Sequence, residues 1–245
     1  MSNHIVTSYD TDLQNLRRSI AEMGGIAEKM MNEAATALVR RDSAQAQAVI
    51  AADQRLDALQ REIEERAILL IARRQPMAID LRETISAIRV SGDLERIGDL
   101  AKNIAKRAVA ISDQVQPQKI VVGVQHMSEL VQEQLKDVLD AYATQNVRAA
   151  HDVWERDGSI DALYTSLFRE LLTYMMEDPR NISFCTHLLF CAKNVERIGD
   201  HTTNIAETIH YLATGENLPT DRPKNDRSSQ TTVEPQAPAP PPPAA

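Results

Sequence analysis

Apolar side chains recur at helical spacing along most of the chain, and no stretch alternates apolar and polar residues over the length of a strand. Up to residue 215 the prolines are sparse and lie where one helical pattern stops and the next begins: Pro76, Pro117 and Pro179. Two more boundaries carry Asx helix caps, at Asp42 and Asn146. The pattern therefore predicts an all-α protein with six long helices, at residues 8–41, 43–74, 78–113, 117–143, 147–177 and 180–213.

The C-terminal segment 216–245 departs from this pattern. It contains few apolar residues and ends in a proline run that favours extended polyproline geometry. A segment with so little to bury cannot offset the entropy of ordering. We therefore expect a disordered, Pro-rich tail.

An internal repeat divides the helical part. Residues 93–106 and 194–207 share eight identities in fourteen positions at an offset of 101, including Glu-Arg-Ile-Gly-Asp in both copies. At an offset of 104, Asp53 and Asp57 correspond to Asp157 and Asp161. The chain is thus a tandem duplication of a three-helix unit, predicted to form two antiparallel bundles related by a pseudo-twofold axis. The expected divisions are residues 1–115, 116–215 and 216–245.

The third helix of each unit carries an apolar seam in alternating steps of three and four, which is typical of a bundle core. The two seams consist of Val90, Leu94, Ile97, Ala101, Ile104, Ala108 and Ile111, and of Leu188, Cys191, Val195, Ile198, Thr202, Ile205, Ile209 and Leu212. Cys185 and Cys191 lie in one apolar helical run and are expected to be core thiols.

Carboxylates flank both seams. Each Glu-Arg-Ile-Gly-Asp motif stacks two acids one helical turn apart, an arrangement that costs a few tenths of a kcal/mol on an isolated helix unless a cation offsets it. The next step of four reaches Asn103 and Asn204, and the second and fifth helices supply one further Asp pair each. If the pairs face each other, each bundle presents four hard oxygen donors suited to Mg, Ca, Mn or iron. The sequence therefore suggests two candidate cation sites.

Other interpretations use the same residues. The acids could be solvated and paired with Arg96, Arg197 or Arg55, or could meet basic patches of a partner in a metal-free helical adaptor. A ferritin-like di-iron protein is a further alternative, but its Glu-x-x-His step occurs once, at Glu207 to His210. The helix-interior Gly98 and Gly199 suggest close approach of either a neighbouring helix or a ligand.

The net charge and the hydropathy of the chain argue against several classes of protein. The formal net charge is −8, with no basic stripe, which argues against general binding to nucleic acid or anionic lipid. The N-terminus lacks the pattern of a signal peptide, and no apolar run is long enough to span a bilayer. We therefore expect a cytoplasmic protein.

The duplicated unit, the twin Glu-Arg-Ile-Gly-Asp motifs and the run Gln75-Pro76 to Asp80-Leu81-Arg82 closely resemble the PhoU family of bacterial phosphate-transport accessory proteins, over residues 8–213. The resemblance implies a multinuclear metal cluster, of iron, zinc, manganese or magnesium. The positions that match the family's metal motifs are Asp53, Asp57, Glu95, Asp99, Asp157, Asp161, Glu196 and Asp200. Asn103, Asn204, Arg96 and Arg197 are expected beside these ligands.

In function, the resemblance implies a non-enzymatic negative regulator of phosphate uptake and of the phosphate-starvation response. Such a protein couples the ATPase of the phosphate ABC transporter to a phosphate-sensing histidine kinase. We expect a homodimer that is recruited to the inner face of the membrane through these partners without inserting into it.

Overall fold

The computed structural model describes residues 2–114, 118–218, 226 and 228–231, with side chains omitted at 2–10, 118, 119 and 230. Seven α-helices follow one another: α1 (Ser2–Arg40), α2 (Ser43–Arg74), α3 (Ile79–Ile111), α4 (Gln118–Thr144), α5 (Val147–Glu155), α6 (Asp157–Glu177) and α7 (Ile182–Thr214). Short 3₁₀ helices occur at Pro179–Asn181 and Ser228–Gln230. The all-α prediction is confirmed, and no described residue lies in a strand.

Helix boundaries follow the signals in the sequence. The side chains of Asp42 and Asn146 accept hydrogen bonds from the backbone N–H groups of Gln45 and Ala149, at 2.9 and 3.1 Å, and so cap α2 and α5. Helix α2 ends before Pro76, and Pro179 opens the 3₁₀ turn that precedes α7. Pro117 lies outside the described residues.

Two helix predictions need correction. The first helix begins at Ser2, earlier than expected. The predicted helix 147–177 is interrupted at Arg156. There the backbone hydrogen bonds join residues three apart instead of four: Arg156 N–H donates to Val153 O at 3.2 Å, and Ser159 N–H donates to Arg156 O at 3.1 Å. Asp, Gly and Ser follow one another at 157–159, and these weak helix formers favour turns, whereas the equivalent stretch of α2 holds Asp, Gln and Arg.

The two bundles pack side by side. Helices α1, α2 and α3 contact one another in the first repeat, as α4 to α7 do in the second, and the repeats meet through α3 against α7 and α1 against α4. Contact between equivalent helices is what a pseudo-twofold axis requires. All residues of both predicted seams are buried, as are Cys185 and Cys191. Apart from Thr202 and Leu212, they belong to one continuous hydrophobic core.

Most of the Pro-rich tail lies outside the described residues, so its predicted disorder is not addressed there. A short described part, around the 3₁₀ helix Ser228–Gln230, contacts α6. Among the described residues, no helix combines the length and the apolar character needed to cross a bilayer.

Candidate functional site

The first acidic cluster comprises Asp53 and Asp57 of α2 and Glu95 and Asp99 of α3. Helices α2 and α3 pack against each other, and Asp53, Asp57 and Asp99 all lie close enough to Glu95 for their charges to act on it. Burial raises the pKa of Glu95, and the negative charges of Asp99, Asp57 and Asp53 raise it further, against the opposing effect of Arg96.

A lysine bridges two acids of this cluster. Lys102 Nζ is 2.5 Å from Asp53 Oδ2 and 2.5 Å from Asp99 Oδ1, so one ammonium bridges the two helices. These contacts raise the pKa of Lys102 in spite of its desolvation, and the ammonium stays charged. Asp53 Oδ1 is buried and accepts no hydrogen bond from any described residue.

The second acidic cluster comprises Asp157 and Asp161 of α6 and Glu196 and Asp200 of α7, and all but Asp200 are buried. Thr203 Oγ1 donates a hydrogen bond to Asp157 Oδ1 at 3.2 Å. Lys193 Nζ donates to Glu196 Oε1 at 2.8 Å, while Glu196 Oε2 is buried and has no hydrogen-bond partner in the described structure.

The pKa of Glu196 is shifted by burial and by the charges around it. Burial raises the pKa of Glu196, Lys193 lowers it, and the charges of Asp200 and Asp161 raise it again. The carboxylate of Glu196 therefore faces its acidic neighbours in an environment that disfavours uncompensated negative charge.

The four residues predicted beside the ligands differ in placement. Arg96 is exposed, with Nε 3.5 Å from Glu95 Oε2 and Nη1 3.6 Å from Asp99 Oδ2. Asn204 turns instead to the other repeat and donates to Asp93 Oδ1 at 3.3 Å. Asn103 and Arg197 are exposed to solvent. Of the four, Arg96 is the residue that these contacts tie to an acidic cluster.

Sequence reasoning missed both lysines. Lys102 lies three residues after Asp99 and Lys193 three residues before Glu196, a spacing that places each pair on one helix face and could have revealed them. It also missed Asp226, whose Oδ2 is 3.1 Å from Lys193 Nζ. That contact has no local signal, because it joins the tail to α7 across 33 positions.

The chemistry of both clusters suits a cation that prefers oxygen ligands, since each contains a buried carboxylate oxygen without a hydrogen-bond partner in the described structure. However, in neither cluster do three described ligand atoms lie within 4.8 Å of one another. The one described group of three ligands whose atoms lie within 4.8 Å of one another is His151, Asp152 and Glu155, all exposed. Metal binding at either acidic cluster would therefore require its carboxylates to approach one another, and at the first cluster it would also require Lys102 to move away from Asp53 and Asp99.

Fold and site together define a class: a duplicated three-helix-bundle protein with matching acidic clusters on its two halves. The family model described as "PhoU domain" matches residues 20–108 and 124–209, once in each repeat. The chain belongs to the PhoU family.

The similarity to known proteins extends over nearly the whole chain. A Rhizobium meliloti protein named "Phosphate-specific transport system accessory protein PhoU homolog" is 57% identical over 226 residues, which cover 92% of this chain and 95% of the relative. A Caulobacter vibrioides protein of the same name is 53% identical over 230 residues, covering 94% of this chain and 100% of the relative.

Solved structures agree with the fold. PhoU from Pseudomonas aeruginosa superposes with a TM-score of 0.83 at 39% identity, covering 85% of this chain and 100% of that chain. The "phosphate transport system regulatory protein PhoU" from Streptococcus pneumoniae gives 0.80 at 29% identity, covering 86% and 99%. The family identified from the motifs is thereby confirmed.

Proposed function

We propose that this protein is a non-enzymatic accessory protein of phosphate transport that represses the phosphate-starvation response and restrains phosphate uptake. The observation that carries the proposal is the match of both repeats to the PhoU domain, together with 57% identity to a relative named as a transport accessory protein. That similarity spans both acidic clusters and all seven helices rather than a single motif.

In this proposal the protein links two partners in the cytoplasm at the inner face of the membrane. One is the ATPase of the phosphate ABC transporter, and the other is a phosphate-sensing histidine kinase. The side-by-side bundles offer long polar helix faces on both repeats for such contacts, and the protein acts as a homodimer. When phosphate is plentiful, the bound regulator keeps the kinase in its inhibitory state.

The acidic clusters supply a second part of the proposal, a metal site. Asp157, Asp161, Glu196 and Asp200 would hold an oxygen-preferring metal ion, whose positive charge would neutralise the carboxylates and join α6 to α7. The buried Glu196 Oε2 supports this assignment because a bound cation would satisfy it. Within the chain, Lys193 supplies part of the same charge compensation.

A metal-free adaptor is the second candidate, favoured by one observation. Lys102 already offsets part of the negative charge of two carboxylates in the first acidic cluster, with 2.5 Å contacts to both. Regulation could then depend on helix surfaces alone, and the cluster would serve to hold α2 on α3.

The regulatory role is tested by deleting the gene from a bacterium that carries it. Expression of a phosphate-starvation reporter should rise in phosphate-rich medium and return to the repressed level on complementation with the wild-type gene. An unchanged reporter in the deletion strain would rule out the regulatory role.

Complementation with variants then separates the two candidates. Glu196→Gln should fail to restore repression if a metal at the second acidic cluster is needed, and should restore it in the metal-free adaptor. Glu65→Gln, a change of an exposed acid on α2, is the matched control and should restore repression in both cases.

A further inference from the structure

A short part of the C-terminal tail lies against the second repeat. Asp226 and residues 228–231 are described there, and the 3₁₀ helix Ser228–Gln230 contacts α6. The sequence from 226 to 231 is Asp-Arg-Ser-Ser-Gln-Thr, which contains no apolar side chain. Burial of apolar surface therefore cannot hold this segment in place, and its position depends on specific polar contacts.

The first of these contacts is an ion pair. Lys193 Nζ of α7 lies 3.1 Å from Asp226 Oδ2 and 2.8 Å from Glu196 Oε1. The same ammonium lies 4.8 Å from the centre of the Tyr164 ring of α6, a cation–π distance. One lysine thus joins α6, α7 and the tail segment.

The second contact is made by Ser228. Its side chain hydrogen-bonds to Tyr164, and its backbone N–H donates to Asp226 Oδ1 at 2.8 Å. The N–H of Thr231 donates to Ser228 O at 3.1 Å and closes the turn. The Asp226 carboxylate therefore both shapes the segment and pairs with the lysine, while Tyr164 receives the hydroxyl of the same turn.

Neither anchor has a counterpart in the first repeat. Tyr164 corresponds to Gln60 at the offset of 104, and Lys193 corresponds to Gly92 at the offset of 101. Gln60 donates a hydrogen bond to Glu64 of its own helix at 3.2 Å, and Gly92 has no side chain to offer. The first repeat therefore lacks both the aromatic ring and the ammonium that hold the tail segment.

The corresponding surface of the first repeat is open. Gln60 and Gly92 line a groove of about 630 Å³, together with the exposed Arg89 and Arg96. Where the first repeat has this groove, the second repeat has the anchors and the segment that occupies them. Duplication has thus produced two related surfaces, one of which carries a ligand supplied by its own chain.

We propose that the tail segment 226–231 is a built-in ligand of the second repeat, which docks its Asp226 carboxylate and Ser228 on Lys193 and Tyr164 and keeps other carboxylate-bearing segments off this surface. The inference depends on neither the metal part nor the regulatory part of the proposed function. The Lys193–Asp226 pair is partly exposed, at 38% and 25%, so salt screens it and the contact is suited to reversible release.

Amide hydrogen exchange of the full chain, followed by NMR at low salt, tests the docking. The N–H groups of Ser228 and Thr231 should exchange slowly in the wild type and faster in Asp226→Asn. Tyr164→Gln, which copies the first repeat, should accelerate them as well, although it lies on another element. Glu216→Gln removes an equal charge from an exposed acid and should leave their exchange unchanged.

Because Tyr164 is buried, circular dichroism checks that Tyr164→Gln folds, and Tyr164→Phe replaces it if it does not. Exchange at Ser228 and Thr231 that is the same in the wild type and in the folded Tyr164 variant would overturn the docking. Protection that rises with protein concentration would show docking between two copies and would overturn the assignment to a single chain.

A competing peptide tests the blocking. A fluorescent peptide with the sequence of residues 224–233 is titrated with the full chain, and its anisotropy is measured. It should bind Asp226→Asn at least about 10-fold more tightly than the wild type, whose own segment is present at an effective concentration in the mM range.

Two controls identify the contacts that the peptide makes. The double variant Tyr164→Gln/Asp226→Asn should lose the binding, and so should a peptide that carries Asp226→Asn itself. Equal affinity of the peptide for the wild type and for Asp226→Asn would overturn the blocking. The reporter experiment tests regulation separately.

Discussion

The glycine within each Glu-Arg-Ile-Gly-Asp motif gives the most direct test of how tightly the helices pack inside each repeat. A Cβ added at Gly98 would lie 2.1 Å from Leu56 Cδ2, whereas one added at Gly199 would have its nearest neighbour, Gln134 Oε1, at 3.6 Å. Leu56 is fully buried, so its side chain cannot move aside without disturbing the core. The same motif is therefore crowded in the first repeat and relaxed in the second.

Opposite stability changes should follow for Gly98→Ala and Gly199→Ala. Replacing a helix-interior glycine by alanine stabilises by about 0.5–1 kcal/mol, and both variants gain this amount. At Gly98 the overpacking costs roughly 1–3 kcal/mol, so Gly98→Ala should show a net destabilisation of up to about 2.5 kcal/mol, whereas Gly199→Ala should be stabilised by about 0.5–1 kcal/mol. The helix-propensity gain cancels in the comparison, which isolates the steric cost.

Urea unfolding followed by circular dichroism measures both variants, and each kcal/mol corresponds to about 2–4 °C in the midpoint of thermal unfolding for a chain of this length. Equal stabilisation of the two variants would show that Leu56 yields freely and would refute the close-approach explanation for Gly98.

A rescue follows from the repeat itself. Leu56 corresponds to Ile160, whose Cγ2 lies 3.7 Å from the position a Cβ at Gly199 would take. Leu56→Ile therefore copies the second repeat into the first, at a cost of less than about 1.5 kcal/mol for a volume-conserving exchange. Gly98→Ala/Leu56→Ile should be more stable than the sum of the single effects predicts, because the steric conflict is removed.

Two further predictions concern buried carboxylates. Burial raises the pKa of Glu196 above its ordinary 4.5, so protonation of Glu196 favours the folded state. Its contribution to the free energy of unfolding is fully present below the unfolded-state pKa and is lost as pH rises through the folded-state pKa. Chelator-stripped wild type should thus lose stability relative to Glu196→Gln as pH rises, and a stability difference that stays constant with pH in urea unfolding would contradict this. Arg17 contacts the buried Glu83 through Nε to Oε1 at 2.5 Å and Nη2 to Oε2 at 2.9 Å, joining α1 to α3. Arg17→Met should destabilise by about 1–3 kcal/mol because a buried carboxylate loses its partner, and Glu83→Gln should restore part of the loss; unchanged urea midpoints would show that water replaces the arginine.

Much of the local structure could be predicted from the sequence because its signals are local. Helical periodicity, the Asx caps at Asp42 and Asn146, and the prolines at 76 and 179 each act within a few residues. The interruption at Arg156 was missed, since the Asp-Gly-Ser stretch weakens a helix without specifying whether packing will overcome it. The placement of the acids on facing helices followed from the repeat, but their counter-charges did not.

By itself, the sequence determined the family, the duplication, most of the helices, the buried seams and the eight carboxylates that accompany them. Only the tertiary structure decided that α3 packs on α7, that Leu56 closes on Gly98 while Ile160 leaves Gly199 uncrowded, and that Lys102 bridges Asp53 and Asp99. The physical reason is the distance along the chain over which each interaction acts. Periodicity and capping depend on neighbours along one helix, whereas steric fit and charge compensation depend on atoms that meet only after separate helices have packed.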